Sequence, residues 1–332
     1  MPELLRSVVW RDRPAPVVSV AVSTFGRAEL LPGLVACLEA QQDAPAFEVV
    51  IADNGSTDGT WDVLHHLSRT TTLPLTVVRL PVNRGAGGGR NAAAAHCRGT
   101  LLAFTDDDCL PAPRWLARLE IGFVDAGVAL VQGRTEPEPG PPPGTWARSV
   151  WVTAPTPWLE TCNIAYRRSD YDAVGGFDDD AGPGARAFGE DTWIGHRVLA
   201  RGGRRVFVAD AVVHHRWRPG TFADHLAERR VMRGFPQLAA QLPAFAESCW
   251  GGVFLSRRTA AVDLALASVV LAAATRRPAL LVGAAPWLRS AWGPARARRG
   301  SLLLRLAQGA VADLTGLAAL VRGSVEHRRL LL

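Results

Sequence analysis

Residues 101–109 read Leu-Leu-Ala-Phe-Thr-Asp-Asp-Asp-Cys, an apolar run that ends in three adjacent carboxylates. A short apolar run of this kind reads as a buried strand. Three neighbouring carboxylates repel one another at neutral pH unless solvent or a cation offsets the repulsion. Hard divalent ions take oxygen ligands and commonly share one or two carboxylates with a substrate's phosphates. The Asp106-x-Asp108 spacing at a strand's carboxyl end therefore suggests a metal–phosphate site. The plain alternative is a solvated acidic loop.

Working outward from this stretch, strand and helix patterns alternate. Val17–Val22 is a β-branched run that ends at Ser23-Thr24-Phe25-Gly26, and Leu30, Leu31, Leu34, Val35 and Leu38 follow with helical period. Phe47–Ala52 is a second strand, closed by the turn-rich residues 53–59. Trp61, Leu64 and Leu67 mark a short helix, and Leu75–Leu80 a third strand. A glycine-rich loop over Asn83–Gly89 and a helix over Arg90–His96 lead into the fourth strand, Leu101–Thr105. This alternation predicts an α/β fold: a doubly wound, mainly parallel sheet with helices on both faces and ligands at the carboxyl ends of the strands. A helix over Ala112–Phe123, a strand over Val128–Gly133 and an irregular proline-rich stretch over Glu136–Gly144 come next. A strand near Cys162–Tyr166, a helix over Thr192–Ala200 and two strands, Arg205–Val208 and Ala211–His214, are then expected. From about Asp224 the pattern is helical and rich in Ala, Leu and Arg. The expected division is an N-terminal extension (1–15), a catalytic domain (16–245) and a helical C-terminal region (246–332).

The chain has 332 residues, 48% of them hydrophobic and 20% charged, which fits an ordered globular protein. Its formal net charge is +6, and every basic residue other than histidine is Arg. Arg pairs are dense in the second half, such as Arg257-Arg258, Arg276-Arg277 and Arg298-Arg299, whereas acidic clusters dominate the first. That asymmetry suits an anionic ligand or membrane surface, or simply a solvated basic face. No nucleic-acid partner is expected. Five scattered cysteines without a Cys-x-x-Cys pair argue against a disulfide framework or zinc site and for a reducing compartment. No signal peptide is read at the start of the chain. No stretch reads as long enough for a clean transmembrane helix; the nearest, Thr259–Thr275, is interrupted by Asp263.

Further carboxylates and histidines fall at expected strand ends and helix starts. Asp53 ends the second strand, Glu190-Asp191 opens a helix, and His214-His215 ends a late strand. In a doubly wound sheet these positions can converge on one rim. Each also has a plain structural reading: Asp53 as a turn former, Glu190 and Asp191 as helix-start residues, one of the histidines as a core residue.

The ordered set resembles the family 2 glycosyltransferases of the GT-A fold. It comprises residues 17–27 (Val-Val-Ser-Val-Ala-Val-Ser-Thr-Phe-Gly-Arg), Val49–Asp58, Asn83-Arg84-Gly85 with Arg90-Asn91, Phe104–Asp108, Cys162–Arg168, Gly175–Asp178, Gly189-Glu190-Asp191 and Val212–His215. The resemblance covers about residues 15–218. It implies that Thr24 and Asp53 hold the nucleotide base, and that Asn83, Arg90 and Asn91 lie beside the nucleotide and diphosphate. It further implies that Asp106 lies near the ribose and that Asp108 ligates a divalent cation, Mg²⁺ or Mn²⁺. Asp191 matches the catalytic base of an acceptor-side pair with Glu190, and His215 the late metal-side histidine, with His214 as the alternative by register. Where many members have Asp-Asp-Gly-Ser, this chain has Asp53-Asn54-Gly55-Ser56.

The expected activity is inverting, metal-dependent transfer from a nucleotide-diphosphate sugar to a carbohydrate or lipid-linked hydroxyl in cell-surface glycan, polysaccharide or glycolipid synthesis. The expected location is the cytoplasm, with peripheral contact at the inner face of the membrane and self-association both open. Two other readings are a nucleotide-sugar-binding protein without turnover and a nucleotidyltransferase. A dinucleotide-binding reading of Gly85–Gly89 fails, because that fingerprint should follow the first strand and not the third.

Overall fold

The apolar runs become strands because they are buried on both faces, and the computed structural model joins them into one mixed sheet. It describes residues 3–10, 15–178, 188–297 and 301–332, with the backbone alone for 294–297. The strands are β1 (Glu3–Arg6), β2 (Val18–Thr24), β3 (Phe47–Asp53), β4 (Leu75–Arg79), β5 (Leu101–Thr105), β6 (Cys109–Pro111), β7 (Val128–Pro137), β8 (Asn163–Arg167) and β9 (Arg204–His215). Their order is β1-β4-β3-β2-β5-β8-β7-β9-β6. The four strands β4-β3-β2-β5 are parallel, as is the β7–β9 pair. β1, β8 and β6 enter antiparallel. The sheet is parallel in its first half and mixed as a whole.

Helices α1 (Leu31–Glu39), α2 (Thr60–Thr70), α3 (Gly85–Ala94), α4 (Trp115–Ile121), α5 (Arg168–Ala173) and α6 (Glu190–Ala200) cover this sheet. Successive strand residues point to opposite faces, and the core divides accordingly. Val20, Val22 and Ile51 pack with Leu31, Leu34, Leu64 and Trp115 of α1, α2 and α4. Ala21, Val50 and Phe104 pack with Ala93, Tyr171 and Ile194 of α3, α5 and α6.

Several boundaries differ from the sequence reading. The glycine-rich stretch is not a loop: α3 begins at Gly85. A Cβ at Gly89 would lie 2.0 Å from Ser23 Oγ, and one at Gly87 would lie 3.0 Å from the Asp178 carbonyl oxygen. Gly89 lets the helix backbone approach the carboxyl end of β2, and Gly87 lets it approach Phe177 and Asp178, contacts that local propensity cannot report. Strand β7 runs on to Pro137, so Glu136 and Pro137 belong to the sheet and not to an irregular stretch. The two late strands are one, β9, with a register shift against β7 between Gly133 and Arg134.

Contacts divide the chain into two units, Met1–Pro141 with Ser149–Trp217, and Pro142–Arg148 with Arg218–Leu332. The second is helical: α7 (Phe222–Val231), α8 (Phe235–Gln241), α9 (Pro243–Ser248), α10 (Arg257–Thr275), a 3₁₀ segment over Pro278–Ala284, α11 (Ala285–Ala297) and α12 (Leu302–Glu326). Residues 218–245, which the sequence reading grouped with the sheet, fall in this second unit. Thr221 and Ser256 start α7 and α10 with reciprocal capping boxes. Buried Asp313 of α12 accepts from Arg258 and, at 2.9 Å, from Trp287 Nε1, which ties three helices together. Close approach is again made by glycine: a Cβ at Gly323 would lie 2.1 Å from the Arg233 carbonyl oxygen.

One expectation is overturned here. Helices α10 (19 residues) and α12 (25 residues) are each long and apolar enough to cross a membrane, by length and composition. The capping box carries α10 back to Arg257, beyond the stretch read from the sequence, and the apolar pattern of α12 was not separated from its surroundings. The Arg298-Arg299 pair lies outside the described residues.

Candidate active site

Parallel pairing sets the first part of the site. Thr24 and Asp53 are register partners at the carboxyl ends of β2 and β3, and β5, next to β2, delivers residues 106–108 on the same rim. Asp53 is fully buried, and its Oδ1 accepts from the Ser56 backbone N–H at 3.0 Å. Its Oδ2 is buried with no hydrogen-bond partner. Asn54 uses both ends of its amide: Nδ2 donates to the Gly85 carbonyl at 2.8 Å, and Oδ1 accepts from the Arg84 N–H at 3.0 Å. A carboxylate could not make the first of these bonds, which gives the Asn in Asp-Asn-Gly-Ser a physical reason. Asn83 Oδ1 accepts from the Gly85 N–H at 2.8 Å and so helps start α3.

Arg90 of α3 is the centre of a charged cluster. Its Nη2 lies 2.8 Å from Asp106, and its Nη1 lies 3.3 Å from Glu190 and 3.2 Å from Asp191. Burial opposes the guanidinium charge, but Asp106, Asp191 and Glu190 outweigh it and raise the Arg90 pKa. Asp191 Oδ2 also accepts from the Thr161 N–H at 2.9 Å, so both of its oxygens are oriented. Burial first, and Asp191 second, raise the Glu190 pKa.

Removing Arg90 would leave three carboxylates facing one another. Arg90→Met is expected to cost about 2–3 kcal/mol of stability at pH 7, near the low end for orphaning a buried ion pair, because the carboxylates stay partly solvated. The loss should shrink at pH 4, because Glu190, whose pKa burial and the Asp191 charge raise, sheds its charge as the pH falls. Denaturant midpoints at the two pH values measure both effects, and equal midpoints for parent and variant would deny the cluster this role.

A second cluster forms on Asp107 and Asp108. Thr24 Oγ1 donates to Asp107 at 2.7 Å, and Arg27 Nη1 bridges Asp107 at 3.0 Å and Asp108 at 2.8 Å. Burial pushes the Asp107 carboxyl up to about 6, against the opposing pull of Arg27 and Thr24. Strand β6 pairs antiparallel with β9, setting Cys109 opposite His215 and Leu110 opposite His214. His215 is therefore the histidine turned inward, with Nε2 3.3 Å from Asp108 Oδ1. His214 instead lies 3.7 Å from Glu136.

The residues fit a divalent ion. His215 Nδ1 lies 3.0 Å from the Arg216 carbonyl oxygen, which can only accept, so Nδ1 carries a proton. In the neutral ring Nε2 is then a lone pair facing a carboxylate oxygen. A second ring nitrogen fixed by a backbone carbonyl is the usual support of a ligating histidine. Ligand atoms of Asp108, Cys109 and His215 lie within 4.8 Å of one another. Burial raises the Cys109 thiol well above its ordinary range, so carboxylate and imidazole are the available donors.

The structure thus brings Arg90, Asp106, Glu190 and Asp191 together, and Asp108 with His215, Arg27 and Thr24. It turns Asn91 elsewhere: Oδ1 accepts from Tyr171 Oη at 2.8 Å and the Phe177 N–H at 2.9 Å, and Nδ2 donates to the Phe177 carbonyl at 2.8 Å. Arg27, Asp107 and the Thr161 N–H were given no role from sequence. Arg27 sits three residues past the end of β2 on the same rim, a placement that could have marked it.

Residues 19–181 match the family model described as Glycosyl transferase family 2. The first unit belongs to this family. Among curated relatives, glycosyltransferase AglE of Haloferax volcanii is 34% identical over 125 residues, 36% of this chain and 40% of that protein. Validoxylamine A glucosyltransferase of Streptomyces hygroscopicus subsp. limoneus is 29% identical over 225 residues, 56% of this chain and 49% of the relative. Succinoglycan biosynthesis protein ExoM of Rhizobium meliloti is 27% identical over 208 residues, 59% and 66% of the two chains. The chain spans 25% to 52% of the first four such relatives. Among solved structures, mannosyltransferase PcManGT from Pyrobaculum calidifontis, in complex with GDP-Man and Mn²⁺, superposes with a TM-score of 0.58 at 22% identity over 96% of this chain and 90% of that one. S. aureus TarS 1–349 in complex with UDP-GlcNAc gives 0.51 at 18% identity over 94% and 92%. These likenesses give the fold of the chain as GT-A, with a helical C-terminal region.

Proposed function

We propose that the first unit transfers a sugar from a nucleotide-diphosphate sugar to a hydroxyl acceptor, with inversion at the anomeric carbon. The observation that carries this reading is the gathering of Asp106, Asp108, Glu190, Asp191 and His215 around Arg90 and Arg27 at the strand ends of a family 2 domain. Asp108 and His215 would hold Mg²⁺ or Mn²⁺, which supplies charge compensation to the leaving diphosphate. Asp53 offers a buried, unpartnered carboxylate oxygen to the N–H donors of a nucleotide base. Thr24 and Asn83 shape the same end of the site through their bonds to Asp107 and Gly85, while Asn91, bonded to Phe177 and Tyr171, steadies the turn behind it. Asp106, held by Arg90, serves the ribose. Asp191 takes the proton of the acceptor hydroxyl while its oxygen attacks the face opposite the departing diphosphate. Glu190 lies on the acceptor side.

The solved neighbours bind GDP-Man with Mn²⁺ and UDP-GlcNAc, and relatives include a glucosyltransferase and a succinoglycan biosynthesis protein. These support a nucleotide-sugar donor and a role in cell-surface glycan or glycolipid synthesis. All five cysteines are free thiols, which agrees with a cytoplasmic site of action. The second unit then serves as a peripheral contact with the inner face of the membrane. Incubating the protein with a panel of nucleotide sugars and Mg²⁺ or Mn²⁺ tests the activity. Release of nucleoside diphosphate is expected. Donor binding without release would leave a binding protein, and pyrophosphate release from a nucleoside triphosphate would make it a nucleotidyltransferase.

A further inference from the structure

Charge separates the two units. Residues 142–148 and 218–332 carry 17 Arg against six carboxylates, a net +11, while the remaining residues carry 20 Arg against 25 carboxylates, a net −5. Within the positive unit, α10 has two unlike faces. Val262, Ala265, Ser268 and Ala272 are buried and fall on one stripe at 3.6 residues per turn. Leu264, Leu266, Val270 and Leu271 cover the rest of the circumference and are 41–57% exposed. The 3₁₀ segment folds back along α10, with Gly283 so close to Ser268 that a Cβ would lie 2.0 Å from its Oγ. Its Leu280, Leu281 and Val282 extend the same apolar surface, Val282 being 75% exposed. No charged residue lies between Asp263 and Arg276. Exposed Arg276 and Arg277 form the bend between the two segments, and exposed Arg289 follows in α11 together with half-exposed Leu288 and Trp292.

We infer that this hairpin, residues 257–292, is the membrane-contact surface, seated in the headgroup region of an anionic bilayer. The inference rests on the peripheral-membrane reading above and names its surface and lipid class. A wide apolar arc bordered by guanidiniums is the pattern of an interfacial helix: the arc enters the acyl boundary and the arginines reach lipid phosphates. Charge complementarity favours an anionic bilayer over a second copy of this unit, which would bring like charges together. Spanning is disfavoured because the inner stripe of α10 is occupied by its own unit and Asp263 sits two turns into the helix.

Full-length protein is sedimented with vesicles of phosphatidylcholine alone or with one-third phosphatidylglycerol, at low and high salt. Binding to the anionic vesicles alone, weakened by salt, is expected. Arg276→Gln with Arg277→Gln should weaken it roughly 30-fold, about fivefold for each arginine. Val270→Glu with Val282→Glu should abolish it, while nucleoside diphosphate release by both variants stays at the parent level and shows that they fold. Parent binding that neither double variant weakens would overturn the hairpin assignment and keep the peripheral reading. No parent binding would overturn both. Resistance to salt and carbonate would replace the interfacial arrangement with a spanning one, and dimerisation lost in Val270→Glu with Val282→Glu, without vesicle binding, would assign the surface to a second copy.

Discussion

Replacing Asp108 by alanine is expected to lower turnover at least about 10³-fold, in keeping with the several kcal/mol that a bound metal contributes to a developing phosphate charge. Metal-dependent donor binding should fall with it. The change removes one ligand oxygen facing His215 Nε2 and one of the two anchors of Arg27. Arg27 keeps Asp107, and Asp107 keeps Thr24, so the rim should stay folded. Circular dichroism and thermal melting check that point, and donor binding with and without Mn²⁺ checks the rest. His215→Ala should reproduce the loss in milder form, whereas His214→Ala, whose side chain faces Glu136, should not. Activity retained by Asp108→Ala in metal-saturated buffer would remove the metal assignment.

The contrast between the two histidines shows where sequence reading stops. Period-two alternation on a strand says that one of His214 and His215 points inward, but not which. The answer comes from the pairing of β6 with β9, which is long-range and sets His215 opposite Cys109. Other gaps have the same origin. The four parallel strands and their order of appearance were legible because apolar runs and turn clusters are local signals. The antiparallel entry of β8 and β6 was not, since strand direction depends on how the chain returns to the sheet. The glycines of α3 read as a loop because their reason, contact with Ser23 and Phe177, lies elsewhere in the chain.

The site followed the same division. Each carboxylate was legible as a residue type at a strand end or helix start, and the ordered motifs pointed to one family. Their grouping was not legible. Nothing local to Arg90 says that it joins Asp106 to Glu190 and Asp191, residues 16, 100 and 101 positions away. Asn91, the next residue, faces the other way on the helix and ties down the turn at Phe177, which a motif match cannot distinguish from a ligand contact.

Asp191→Asn is expected to lower kcat about 10²- to 10⁴-fold, the range for loss of a general base, with donor affinity nearly unchanged. The substitution keeps the shape and leaves an oxygen that can accept from Arg90 or from the Thr161 N–H, but it cannot take a proton at neutral pH. Its neighbour makes the test discriminating. Glu190 is half-buried, and that burial with the adjacent Asp191 charge raises its pKa, a direction that also suits a base working near neutral pH. Arg90 touches both carboxylates, so contact with the cluster does not separate them. Geometry favours Asp191, whose two oxygens are fixed from opposite sides by a guanidinium and a backbone amide. Glu190→Gln should therefore act mainly on acceptor KM, with kcat reduced about tenfold or less. Steady-state kinetics on both variants, varying donor and acceptor separately, reads out the assignment. A large kcat loss in Glu190→Gln with a small one in Asp191→Asn would exchange the two roles. Loss of donor affinity at unchanged kcat in Asp191→Asn would make it a binding residue, held by Arg90 for the donor's sake and not for proton transfer.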